Sequence, residues 1–299
     1  MRNYFDVAEN GGARVLEQVV EKRKRMHARL EQVERILLVG SGKGGVGKST
    51  LTASLSFAFA HLGYRVSVLD ADLNGPSLAR MLGMREALVI PGEDGLNVPV
   101  TSDGIGVLSL GSLLPEETAL EFETLVKGDS FVWRSTREFT ALTEILGAAE
   151  WGKRDLLIVD LPPGPERTAQ FAEFFGKRTS TLLVTIPTDV SRGVVSRAVS
   201  ALHDSGTNII GYLENMSDYL CPECNRLAPL FRVSGEVTVP VPSLGTIPFD
   251  PQLAQLCDSG LNIERFLETG GSKSVLVAAE KIAPLIDLTI RSKRKVGGI

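Results

Sequence analysis

Cysteine is scarce in this chain: three occur in 299 residues. So small and odd a number argues against a disulfide framework and for a reducing, cytoplasmic compartment. Long hydrophobic runs are missing too. None approaches the ~18–20 residues needed to span a bilayer, which excludes stable membrane insertion. The opening residues, MRNYFDVAENGGARV, lack the apolar stretch of a secretory signal. Neither sign of charge dominates. With 32 Lys and Arg against 36 Asp and Glu, the net charge is −4, so nothing points to general nucleic-acid binding. There is no internal repeat and no low-complexity linker. What is present is ordinary for a globular protein, with 43% hydrophobic and 23% charged residues.

The most informative stretch is Arg35–Thr50. An apolar run, Ile36 to Val39, stops at SGKGGVGKST, and Gly42, Gly47, Lys48 and Ser49 fit the spacing of a P-loop. Helix-like residues follow, which is the context the motif requires. Gly42, Gly44, Gly45 and Gly47, with Val46 among them, let the backbone curl so that successive N–H groups face phosphate oxygens. A helix starting near Lys48 aims its dipole at the same anion. The Lys48 ammonium reaches the β- and γ-phosphates of ATP. The hydroxyl of Ser49, beside Thr50, suits Mg²⁺, which prefers oxygen ligands.

From Arg35 onward, strand and helix patterns alternate. Strands are expected at Arg35–Val39, Arg65–Asp70, Asp155–Asp160, Thr181–Ile186, Asn208–Leu213 and Leu244–Ile247. Helices are expected at Lys48–Leu62, Ser77–Leu82, Thr136–Ala149, Thr168–Lys177, Ser191–Ser205, Pro251–Asp258 and Ser274–Ile290. The segment broken by Pro91, Gly92, Gly95, Pro99, Gly104 and Gly106 suggests a hairpin with arms Val98–Thr101 and Ile105–Leu110. Such alternation implies an α/β fold, a mostly parallel sheet with helices on both faces. Residues 1–34 read as a helical extension, with Gly11 and Gly12 in a loop and Ala13–Val33 helical. Residues 35–299 read as one P-loop domain, with a cysteine-bearing loop inserted at 217–242.

A parallel sheet offers its ligand site at the carboxyl ends of its strands. Asp70 and Asp72 end the second strand there, where paired carboxylates can orient water and bind Mg²⁺. Asp160 closes the apolar run DLLIVD and fits a Mg²⁺ ligand, direct or through water. Asn215 ends a late strand, and its amide can both donate to and accept from an adenine edge. Cys221 and Cys224 stand in C-x-x-C spacing, so two thiolates can converge on one metal. Cys257 is remote and apolar in context. A twofold dimer would bring two such pairs together, giving four thiolates for a [4Fe–4S] cluster or Zn²⁺. A redox-active pair is the other option, weakened by a Pro-rich setting that does not open a helix.

KGGVGKST carries a second lysine, Lys43, and resembles the deviant Walker A of the MinD/ArsA class. DADLNGPSLARMLG at 70–83 and ENMSDYLCPECNRLAPLF at 214–231 extend the likeness. The sequence resembles the Mrp/ApbC family of iron–sulfur cluster carrier ATPases, MinD-like P-loop NTPases of the SIMIBI class, from about Ile36 onward. The resemblance implies an ATP-hydrolysing homodimer that binds a [4Fe–4S] cluster between protomers and passes it to apo-proteins. It implies that Lys43 crosses the dimer interface to the partner's nucleotide and that Asp72 handles the attacking water. Pro162-Pro163-Gly164 becomes a γ-phosphate-sensing switch, and Asn215 and Pro248 flank the base. The alternative is a MinD/ParA-type regulator with a structural zinc, resting on the basic helix near the start and the basic residues Arg291 to Lys295. Departures exist. After PPG this chain has Pro165-Glu166-Arg167, a basic side chain where relatives have a carboxylate, so a nucleotide switch with little turnover is a third reading. Asn225 replaces a glycine but tolerates left-handed backbone, and Asn74 replaces a tyrosine.

Overall fold

The structure, a computed structural model, describes residues 4–72, 77–84, 90–92, 94–109, 131–231 and 237–289. Its centre is a sheet in the order β10-β9-β8-β1-β7-β2-β5, with β11 also pairing β9. Its strands are β1 (Val33–Ser41), β2 (Val66–Asp70), β5 (Gly106–Ser109), β7 (Arg154–Asp160), β8 (Thr179–Thr185), β9 (Ile209–Leu220), β10 (Leu227–Pro229) and β11 (Ser243–Phe249), and within it every pairing is parallel except β10 with β9. A small second sheet holds β3 (Ile90–Pro91), β4 (Leu96–Asn97) and β6 (Ala149–Glu150), and α3 (Leu78–Met81) and α6 (Asp189–Asp204) are among the connecting helices. The central strands are buried on both faces, as their unbroken Leu, Ile and Val runs require. The expected α/β architecture, a mostly parallel sheet between helical layers, is what forms.

One face packs on α2 (Lys48–His61), whose Leu51, Leu55, Phe57 and Phe59 are sealed beneath the last helix, Ser272–Leu285. Small Ala and Ser residues on α2 let it lie close to both layers. Phe57 stacks on Phe266 with centroids 5.9 Å apart. On the other face, α4 (Phe131–Ala148) and α5 (Pro165–Phe175) cover the sheet around Trp151, Phe171 and Phe175. Each fully buried side chain of this size contributes roughly 1.5–3 kcal/mol. The helix α1 (Tyr4–Leu30) docks against α4 and buries Met26 and Leu30.

Beyond shifts of a few residues at helix ends, the fold departs from the sequence reading in these places. Gly11 and Gly12 lie inside α1 instead of a loop. The expected 98–110 hairpin reduces to a single antiparallel bridge, Val100 to Gly106. Its second arm is instead the parallel edge strand β5 beside β2, because Val107 and Leu108 are buried on opposite faces of the main sheet. The strand expected to stop at Leu213 runs on to Leu220. A short helix, α8 (Ile263–Glu268), capped by the Asn262 side chain, was not anticipated. Asn74, residues 232–236 and the basic residues Arg291 to Lys295 lie outside the described residues. No helix among the described residues is long and apolar enough to cross a membrane.

Candidate functional site: a phosphate loop and a cysteine turn

At the carboxyl end of β1 the chain turns through 42–47 and enters α2. Gly45 and Gly47 have φ of 77° and 75°, values that favour glycine. Gly47 is also crowded: a Cβ there would lie 2.3 Å from Asn215 Nδ2. A Cβ at Gly44 or Gly45 would meet nothing within 4 Å, so the loop opens toward a cavity. That cavity, ≈ 260 Å³, is lined by Lys43, Val46, Gly47, Lys48, Ser49, Thr50, Asp72 and Pro163, among others. The structure therefore brings the P-loop, Lys43, Asp72 and the PPG turn together.

Beneath it lies a tight polar knot. Asp160, 1% exposed, accepts from Lys48 Nζ and Ser49 Oγ at 2.6 Å each and from Thr52 Oγ1 at 2.9 Å. Lys48 is itself 7% exposed, so this is a buried ion pair with its lone pairs answered. Asp70 lies alongside. One oxygen accepts the Asp72 N–H at 3.2 Å, and the other accepts those of Ser77 and Leu78 at 3.1 Å. Burial, then the charge of Asp160, pushes the Asp70 carboxyl up to about 7; the amides and Lys48 pull the other way. Asp70 thus holds the strand-end loop that carries Asp72 at the cavity.

Asn215 and Pro248 meet at a second, smaller cavity of ≈ 70 Å³, with Gly47, Thr50, Met216, Asp250 and Leu253. Asn215 donates from Nδ2 to Val46 O at 2.9 Å, so one of its amide hydrogens pins the P-loop. Asp250 caps the helix α7 (Pro251–Ser259) and accepts the Gly271 N–H at 2.9 Å, fixing this wall. Met216 and Asp250 were missed from sequence; their only signal was adjacency to Asn215 and Pro248.

Arg167 is engaged away from the phosphate loop. Its guanidinium pairs with Glu138 of α4, donates to Gln170 Oε1 at 2.8 Å, and lies over the Phe139 and Phe171 rings, 5.6 and 5.3 Å from their centroids. Burial raises the Glu138 carboxyl and Arg167 opposes that shift. Glu138 lies 29 residues upstream, so no local signal announced it.

Cys221 and Cys224 line neither cavity. They occupy the turn between β9 and β10, which pair antiparallel from Leu220–Leu227 to Asp218–Pro229. The turn closes with Cys221 N–H to Arg226 O at 3.0 Å and Asn225 N–H to Cys221 O at 2.8 Å. Asn225 has φ 54°, the left-handed conformation expected of it. Backbone N–H groups of Cys224 and Glu223, then the Cys224 thiol, lower the Cys221 pKa below the ordinary thiol value. Two soft donors, Cys224 exposed and Cys221 half-buried, fit a metal or cluster but supply only half of a tetrahedral set. No group of three or more His, Cys, Asp or Glu suited to a metal occurs among the described residues. Cys257 is buried in α7, its thiol pushed up to about 11.

The family described as ParA, NUBPL iron-transfer P-loop NTPase, matches residues 32–283. An iron-sulfur cluster carrier protein of Aquifex aeolicus is 34% identical over 266 residues, 87% of this chain and 69% of its own length. Among solved structures, a nucleotide-binding protein from Archaeoglobus fulgidus in complex with ADP superposes with a TM-score of 0.64 at 30% identity, over 82% of this chain and 96% of its own. The septum site-determining protein MinD of Pyrococcus horikoshii, complexed with Mg-ADP, gives 0.59 at 25% identity, over 84% of this chain and 96% of its own.

Proposed function

The chain belongs to the NUBPL iron-transfer P-loop NTPases of the ParA family, and from that premise we propose that it is an ATP-hydrolysing homodimer that carries a [4Fe–4S] cluster between protomers and delivers it to apo-proteins in a reducing compartment. One observation carries the reading: a complete phosphate loop and a half-complete C-x-x-C turn stand on one sheet, and strand β9 touches the first before ending at the second. Two thiolates per chain make a twofold partner the natural source of the other two. The working unit begins with β1 at Val33, two residues before the expected 35–299, and the helical extension is what precedes it.

On the nucleotide side, glycine backbone and Lys48 hold the phosphates. With ATP bound, Lys48, now on Asp160, would serve the β- and γ-phosphates, and Ser49 and Asp160 would hold Mg²⁺, directly or through water, where the ion would offset phosphate charge. Asp72 faces the same cavity and positions the attacking water. Lys43 extends from the loop to the partner's nucleotide. Asn215 and Pro248 bracket the adenine. Because Arg167 is neutralised by Glu138 and lies over the Phe139 and Phe171 rings, it adds no bare charge to the switch, which supports turnover despite the altered Pro165-Glu166-Arg167 sequence.

Anaerobic reconstitution with iron and sulfide tests the cargo. Wild type should gain a visible chromophore with iron and sulfide in equal amounts at one cluster per dimer. Zinc without sulfide in protein purified free of oxygen, or an equal chromophore after replacing both cysteines with alanine, would overturn the proposal.

A further inference from the structure

Strand β9 is not uniform. Up to Glu214 it is held by β8 on one edge and by β11 on the other. Asn215 still pairs with Ile247, but the next β11 partner of β9 is Phe249 with Tyr219. Four steps along β9 therefore answer two along β11, leaving Met216, Ser217 and Asp218 as a bulge. Opposite them stands Pro248, which has no N–H to give the ladder. β8 has already ended at Thr185, and β10 takes over that edge only at Asp218.

Two of the three bulge residues are unusual. Met216 has φ 54°, a left-handed conformation that a methionine adopts only when its surroundings impose it. Its side-chain tip lies against the P-loop: a Cβ placed on Gly47 would be 3.2 Å from Met216 Cε. Ser217 Oγ is buried without a hydrogen-bond partner among the described residues. Beyond the bulge, Tyr219 stacks on Phe249 with centroids 6.4 Å apart and planes at 27°. Two residues later comes Cys221.

We infer that the Met216–Asp218 bulge of β9 is the joint through which nucleotide in the P-loop resets the cysteine turn, with Met216 the positioning residue that reads Gly47. Phosphate drawn into the loop moves Gly47 and Val46 against Met216 and Asn215. The bulge, strained and with an unanswered hydroxyl, has a second arrangement available. The Tyr219–Phe249 stack ties the strand beyond the bulge to Phe249, which lines the same small cavity as Gly47 and Met216, so a shift there carries on into the turn. Coupling requires only that the two arrangements bind nucleotide unequally. This rests on the carrier reading for its purpose, though not for its test.

Amide hydrogen exchange of the full chain, with and without the Mg²⁺ complex of the β,γ-imido analogue of ATP, provides that test. Protection of the P-loop peptide reports binding, and nucleotide is set to saturate each protein by that signal. In wild type, exchange of the 219–229 peptide should change about fivefold or more on binding. Met216→Gly frees the backbone and removes the side chain, and Tyr219→Leu breaks the stack. Each should leave the hairpin peptide indifferent to nucleotide. An unresponsive wild-type hairpin alongside a protected P-loop overturns the inference, as does an undiminished response in Tyr219→Leu, which decides the matter if Met216→Gly does not fold. No iron enters the measurement, so failure here leaves the cargo proposal standing, and failure of reconstitution leaves this inference standing.

Discussion

The two ends of the proposed machinery are built on opposite principles. Around Asp160 the polar groups named above are buried and interlocked: Lys48, Ser49 and Thr52 on one carboxylate, and three backbone amides on its neighbour Asp70. Around Cys221 the turn stands in solvent, held by two backbone hydrogen bonds and one left-handed asparagine. The difference follows from what each end must do. Phosphate chemistry gains from donors fixed in a low-dielectric site before the substrate arrives. A cargo handed to another protein must be reached from outside, so its ligands lie at an edge and depend little on the core.

The sharpest way to break that contrast is to remove the thiols. Replacing Cys221 and Cys224 with alanine should abolish the reconstituted chromophore entirely, while stability moves by no more than ~0.5 kcal/mol, as for other exposed positions. A large fall in the unfolding midpoint would show that the turn is part of the core after all. The same experiment at the buried end should behave oppositely. Lys48→Met should lower kcat/KM for ATP by about 10²-fold or more, the scale of losing a preorganised donor. It should also destabilise the protein by about 3 kcal/mol, because Asp160 stays buried with its cation gone. Steady-state hydrolysis and denaturant unfolding read the two effects separately.

Arg167 tests where the buried end stops. Removing it by Arg167→Met leaves Glu138 without its cation between α4 and α5, at a cost of about 2 kcal/mol. The sign with pH is fixed. Burial already raises the Glu138 carboxyl, and losing the arginine raises it further. The deficit should therefore be small at acid pH, where the carboxyl is protonated in both states, and grow as pH rises through the folded-state value. Glu138→Gln in the same chain should recover most of the loss. A pH-independent deficit would mean that Arg167 acts through its ring contacts alone.

How much could be read from sequence follows the same division. Ile36–Val39, the glycines of the P-loop and DLLIVD were legible because a parallel core strand and a phosphate turn each dictate residue types over consecutive positions. Cys221–Cys224 was legible as a pair for the same local reason. The bulge was not: ENMSDY is polar, and it becomes strand through pairing with Ile247 and Phe249, some thirty residues on, and with the β10 hairpin arm. The setting of Arg167 was illegible for the complementary reason, since its ion-pair partner Glu138 and the ring of Phe139 lie in another helix, and only Phe171 is one turn away. The segment after Val98 had turn residues enough for a hairpin, yet the open edge of β2 captured Gly106–Ser109 because two apolar side chains there could be buried.

The smallest expected effect belongs to the turn itself, and it asks whether so exposed a site is nonetheless shaped. Asn225 sits at φ 54° and donates its N–H to Cys221 O. Asparagine tolerates that conformation; alanine pays roughly 1 kcal/mol for it. Asn225→Ala should therefore loosen the turn that holds the Glu223 and Cys224 amides on the Cys221 sulfur, and those amides are the largest cause of its lowered pKa. Less thiolate would then form at neutral pH, and the midpoint of the pH–rate profile for alkylation of Cys221, followed on its own peptide, should move up toward the ordinary thiol range. Asn225→Gly keeps the left-handed backbone without strain and should leave the midpoint where it is. Cys257, buried and with its pKa already raised, should respond to neither change and serves as the internal reference. If alanine and glycine shift Cys221 alike, the asparagine side chain, and not the backbone conformation, is what tunes the sulfur.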